Sequence, residues 1–235
     1  MIICLETATT LCSVALCDDS GVISLREDDS RSHASLVTVF VEEILREHDM
    51  KVRDLDAVAV SKGPGSYTGL RIGVSVAKGL AFGAGIPLIG IETTFSMCNG
   101  MIMKGFGRDE DSLFCPMLDA RRMEVYYALY DTSVNKLKDI SAEIITENSF
   151  KNFPESKKII FFGDGAMKCR NVIGRENAVF ADDFMISAAH MYTPVIKAFK
   201  EKKFEDIAYF EPFYLKDFIT TVSRKNVFGN KPAAP

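Results

Sequence analysis

Chemistry in this chain concentrates at the ends of its apolar runs. Gly63-Pro64-Gly65-Ser66 and Gly163-Asp164-Gly165-Ala166 each follow such a run, and Glu6-Thr7 closes another. A glycine turn that feeds a helix leaves backbone N–H groups free, and these attract anions such as phosphate. The spacing departs from the usual phosphate motifs. From Gly63 the pattern is G-x-G-x-x-x-G, one residue longer than the dinucleotide fingerprint. Pro64 removes one donor, and no Gly-Lys-Ser/Thr triplet follows. A structural turn is the simpler reading of both stretches. Asp119, Arg121 and Arg122 form a third cluster. Arginine presents a rigid donor fork for phosphate or carboxylate, but an ion pair holding a strand end explains the cluster equally well. His33 and His48 are too far apart to share a metal on one helix face, and His190 has no second ligand beside it.

The element that must position the first turn is the stretch from Asp56 to Thr94. Ala57 to Val60 and Leu88 to Ile91 are short apolar runs bounded by turn residues, as expected of strands covered on both faces. Ser66 to Gly83 is long enough for a crossover helix between parallel strands, with Ser66 as its N-cap. Gly69 and Gly73 are four apart, as are Gly79 and Gly83, and Ala77 and Ala81 continue the small-residue pattern. Each helical glycine costs about 1 kcal/mol relative to alanine. The spacing therefore predicts close approach by another backbone, from this chain or a partner. Before this stretch lie strands at 1–6, 12–17 and 22–26 and a helix from His33 to His48 capped by Ser32. Leu36, Val37, Phe40, Val41, Ile44 and Leu45 give that helix a wide apolar stripe.

After a helix at 92–103, the polar stretch 104–111 reads as a boundary. The expected organisation is a first subdomain over 1–103, a second over 104–229, and a frayed tail over 230–235. Strands are expected at 113–118, 124–130, 136–146, 158–162 and 178–180, with helices at 167–173 and 185–203, the last kinked or broken by Pro194. No repeat of fixed period is apparent.

Composition bounds the function. The chain has 235 residues and a formal net charge of −4, which offers nucleic acid no general attraction. No apolar run reaches the roughly 20 residues of a membrane span. The six cysteines lack C-x-x-C spacing and read as reduced core thiols. With no basic segment before the first strand, the expected location is cytoplasmic.

The segments LETATTLCSVAL, SKGPGSYTGLRIGVSVAKGLAFGAGIPLIGI, LDARRMEVYYALY, GDGA and EPFYL resemble the TsaB (YeaZ) family from end to end except for the tail. The resemblance implies the actin-like, Hsp70-like ATPase-domain fold, an α/β architecture of two subdomains with the second reduced. It implies a subunit of the bacterial pathway that makes threonylcarbamoyladenosine beside the anticodon of tRNA. Such a subunit pairs with the transferase homologue TsaD and recruits the ATPase TsaE. Transferases of the TsaD type carry His-x-x-x-His after the second buried strand; the matching positions here are Thr93 and Met97. Neither supplies an imidazole, so a non-catalytic scaffold with no metal is expected.

The implied partner face combines both helices, with Leu36, Val37, Phe40, Leu70, Gly73, Val74 and Ala77 making contact in an antiparallel four-helix bundle. A homodimer is expected when the partner is absent. Glu6, Thr7, Gly163, Asp164 and Gly165 match nucleotide-facing turns of the fold in outline only. No tightly bound cofactor is expected, with ATP or ADP confined to the complex interface and tRNA contact indirect or weak. The rival reading is an ATP-dependent phosphotransferase of the acetate- or sugar-kinase type, for which Glu6 is the one candidate acid. A protease is the second rival, and no nucleophile–base pair supports it.

Overall fold

The alternation of the first residues decides the first layer. Strand β1 (Ile2–Glu6) pairs antiparallel with β2 (Cys12–Asp18), which pairs antiparallel with β3 (Gly21–Asp28). Helix α1 (His33–Glu47) and a 3₁₀ turn (Val52–Asp54) lead to β4 (Ala57–Gly63), parallel to β1. Helix α2 (Tyr67–Ala84) then crosses to β5 (Leu88–Glu92), parallel to β4. The resulting order is β3-β2-β1-β4-β5. Side chains two apart share a face. Ile3, Leu5, Val14, Leu16, Val58 and Val60 accordingly pack under α1 and α2, while Ile2, Cys4, Ala15, Ala57, Ala59 and Ile89 face the opposite side. The structure is a computed structural model and describes residues 1–30, 33–107 and 111–215. Ser32, expected to cap α1, lies outside the described residues.

Helix α3 (Thr93–Met103) carries the chain to a second sheet. Its strands are β6 (Ser112–Asp119), β7 (Glu124–Tyr130), β8 (Lys136–Ile144), β9 (Lys158–Phe162) and β10 (Ala178–Ala181), in the order β10-β9-β6-β7-β8. Read from β8, this is the first sheet again: an antiparallel meander followed by two parallel strands. The chain contains a structural repeat that the sequence does not display as one. Its helices diverge, since α2 has 18 residues and its counterpart α4 (Ala166–Cys169) has four. The helix expected over 167–173 is thus much shorter. The segment from Ile145 through Phe150 and Phe153 covers the sheet where α1 has no counterpart.

The 3₁₀ turn Ala188–Met191 and helix α5 (Tyr192–Lys200) pack on the first sheet, with Ala188, Met191 and Val195 against Ile2, Cys4, Ile89 and Ile91. The part of the chain from Ala188 to Phe213 thus packs on the first sheet, although it follows the stretch 104–111 in sequence. The helix expected over 185–203 is interrupted between the 3₁₀ turn and α5, two residues before Pro194, which sits in the first turn of α5, where a missing N–H costs no helical hydrogen bond. The following stretch straps the first sheet. The Glu205 N–H donates to Leu88 O at 2.8 Å, the Phe213 N–H donates to Lys62 O at 2.7 Å, and Lys78 Nζ donates to Ala208 O and Phe210 O at 3.3 and 2.9 Å. The expected tail over 230–235 lies outside the described residues.

Candidate partner-binding face and interlobe cleft

The structural repeat gives the two acids matching places, Glu6 ending β1 and Asp119 ending β6. Glu6 is fully buried. Its Oε1 accepts the Ala8 N–H at 2.7 Å, while Oε2 has no hydrogen-bond partner. Burial pushes its carboxyl up to about 7, against the opposing pull of the Ala8 amide, the Ser61 hydroxyl and the Thr7 amide. The Thr7 hydroxyl donates to Gly69 O at 2.8 Å. Both groups face the protein's own interior.

Asp119 is exposed and held by Lys168, whose Nζ also donates to Arg122 O and Glu124 O at 2.9 and 2.6 Å. The Arg121 N–H donates to Asp119 Oδ1 at 2.8 Å, and both arginines have positive φ, 71° and 52°. An ion pair does hold this strand end, but its cation is Lys168 rather than either arginine. The β6–β7 hairpin is the second hairpin tip, the counterpart of the turn between β1 and β2.

Both glycine turns are filled by these hairpins. A β-carbon on Gly65 would lie 2.4 Å from Ala8 O, and one on Gly165 would lie 2.8 Å from the Leu118 carbonyl carbon. Gly163 would meet Met117 O at 2.4 Å. The Asp164 Oδ1 accepts the Asp119 N–H at 3.0 Å. The glycines are needed for close packing of turn on hairpin, and the residues present do not fit a phosphate cradle. The rival phosphotransferase reading loses its acid in the same way, since Glu6 points inward.

The positions that match the transferase histidines are also enclosed. Thr93 is fully buried with Oγ1 2.8 Å from Ser61 Oγ, and Met97 packs its Cε beside Gly163. No group of three metal-binding side chains occurs among the described residues.

Helix α2 divides the expected partner residues. Leu70, Gly73, Val74 and Ala77 are buried in the chain's own core, as is Val37 of α1. Their side chains are taken up by the chain's own packing. Val37, Val74 and Ala77 pack on the first sheet, and the first hairpin meets the helix at its glycines: β-carbons at Gly69 and Gly73 would lie 2.0 Å from Thr7 O and 2.2 Å from Thr7 Oγ1. The backbone that those two glycines admit belongs to this chain. Leu36 and Phe40 stay half-buried on α1. The open face instead carries Ile72, Val76, Gly79, Phe82 and Gly83. Gly79 and Gly83 have nothing within 4 Å of an added β-carbon, and Phe82 is 79% exposed. Four-residue glycine spacing marks both sets; only the hairpin position separates them.

Two copies of one meander-and-crossover unit, joined through α3, with α5 packed on the first of them, define an actin-like α/β protein. The family described as TsaD, tRNA N6-adenosine threonylcarbamoyltransferase, matches residues 25–217. The chain is 30% identical over 223 residues to the tRNA threonylcarbamoyladenosine biosynthesis protein TsaB of Escherichia coli (strain K12), covering 92% of this chain and 94% of that protein. It is 30% identical over 211 residues to the protein of the same name from Bacillus subtilis (strain 168), covering 83% and 89%. The structure of YeaZ from Pseudomonas aeruginosa superposes with a TM-score of 0.80 at 21% identity, over 91% of this chain and 99% of that one. The chain belongs to the TsaB family.

Proposed function

We propose that this chain is a non-catalytic scaffold subunit in the biosynthesis of threonylcarbamoyladenosine in tRNA. It pairs with a TsaD-type transferase through the outer face of α1 and α2, supports that enzyme, and offers the pair as a platform for the TsaE-type ATPase. One observation carries the reading. Helix α2 has two glycines, Gly79 and Gly83, on a face where nothing of this chain approaches them. Helical glycines cost stability, and close backbone approach by a second chain gives them a use. Leu36, Phe40, Ile72 and Val76 flank them with half-buried apolar surface. Without its partner the same face supports a weak homodimer.

Adenine nucleotide, in this reading, enters at the interface with the partner rather than in this chain alone, because both glycine turns are closed by hairpins. Contact with tRNA is indirect, in keeping with a net charge of −4. The place of action is the cytoplasm. Among the described residues no helix is long and apolar enough to cross a membrane.

The test is Gly83→Leu. The added side chain has free space in the monomer, so the fold should persist while affinity for a TsaD-type transferase drops at least tenfold in size-exclusion and calorimetric assays. Undiminished complex formation would overturn the reading.

A further inference from the structure

Strand β1 ends on an acid set between two serines. Glu6 lies directly opposite Ser13 of β2, and Ser61 of β4 follows Val60, the partner of Leu5. All three are fully buried and share the sheet face that carries α5. The chain passes from the first sheet to the second along α3 and returns between β10 and the 3₁₀ turn Ala188–Met191. Each passage is pinned to one of these serines. Ser61 Oγ lies 2.8 Å from Oγ1 of Thr93, the first residue of α3, and Ser13 Oγ accepts the Ala188 N–H at 3.0 Å. The acid stands between the two anchors of the second half.

Its own hydrogen bonding is incomplete, since Oε1 takes the Ala8 N–H and Oε2 has no partner. One turn along α3 from Thr93, the buried Ser96 hydroxyl also lacks one. Buried polar atoms in this state are few in native folds, and each costs stability that a new hydrogen bond would return.

What faces the acid is uncharged or negative. Ser61 and Thr93 approach from β4 and α3, and the Ala188 amide approaches through Ser13. β2 adds Cys12, whose thiol burial pushes up to about 11. Beyond these stand the carboxylates of Glu27, on Ser13, and Asp28, which acts on Cys12. Helix α2 meets Thr7 instead, Glu92 is paired with Lys136 at 2.8 Å, and His190 packs on Phe184 and Gly100. Burial, opposed by hydrogen bonds, sets the Glu6 carboxyl at about 7, and no cation offsets its charge. Its neutral and ionised forms therefore interchange across neutral pH.

We propose that the end of β1 is a proton-operated joint between the two sheets. With Glu6 neutral, Ser13 and Ser61 stay on their anchors. Once its proton has left to solvent, Oε2 requires donors, draws water and the serine hydroxyls, and loosens both passages. The joint does not depend on the proposed partner face.

The test measures the distance between the halves at pH 6 and pH 8. Spin labels are placed on Glu42→Cys and Lys151→Cys, exposed positions on α1 and beside the second sheet, in full-length chain diluted with unlabelled chain. The six natural cysteines are buried and do not compete. The expected result is one distance at pH 6 and a second population that grows about tenfold, to a measurable share, at pH 8. In Glu6→Gln the single distance should persist at both values. An unchanged distribution in the natural chain, or the same second population in Glu6→Gln, would overturn the proposal. Denaturant titration gives the unfolded fraction at each pH, and a second population no larger than that fraction would overturn it too.

Discussion

A fully buried carboxyl with one oxygen unpartnered sets Glu6 apart from every other acid in the cleft. Its rise from 4.5 to about 7 in the folded state is worth about 3 kcal/mol. The folded-state value is the higher one, so this contribution is present below pH 4.5 and is lost as pH rises through 7. His190 works in the other direction. Packed on Phe184 and against Gly100, it is pushed down from 6.5 to about 4 by burial, with Lys104 adding to the shift. Its contribution is present above pH 6.5 and is lost as pH falls through 4. Stability should therefore peak between pH 4.5 and 6.5, and Glu6→Gln should raise it at pH 8 by about 2–3 kcal/mol while changing little at pH 4.5. Denaturant titrations at the two pH values check this; an equal effect at both would contradict it. Glu6 was legible as an acid at a strand end. Its inward direction was not, because it depends on Ala8 and Ser61, brought together only by the turn and by β4.

Strands and long helices were legible because short apolar runs and period-3.6 patterns are local, as β1, β4, β5 and α1 show. Helix α2 shows where local reading stops. Its glycine spacing marked close approach, yet Gly69 and Gly73 meet Thr7 while Gly79 and Gly83 meet nothing. The difference lies in where the first hairpin ends, about 60 residues earlier in the chain. Gly69→Ala should destabilise the fold by about 2–4 kcal/mol, since its β-carbon meets backbone that must shift. Gly83→Ala should stabilise it by up to about 1 kcal/mol through helix propensity. Equal effects in chemical denaturation would contradict the two-sided account of α2. The short α4 and the return of α5 to the first sheet were not legible. Tertiary packing there outweighs weak local signals.

At the scale of the molecule, duplication is the organising fact. Gly63 and Gly163 stand at the same point of their repeats, one hundred residues apart, with φ of 111° and 98°. The two hairpin tips, two glycine turns and two end-of-strand acids are the remnants of a shared plan whose apertures this chain closes with its own backbone. The helices follow different courses. The first repeat keeps α1 and α2 long and open on their outer side, while the second reduces their counterparts. A molecule with an open helical face is suited to supporting another chain. The central claim is met most directly by reconstituting threonylcarbamoyladenosine formation on tRNA with a TsaD-type transferase and a TsaE-type ATPase, with and without this chain. The account predicts that modification falls to background when this chain is omitted and returns when it is added. Full modification without it would contradict the account.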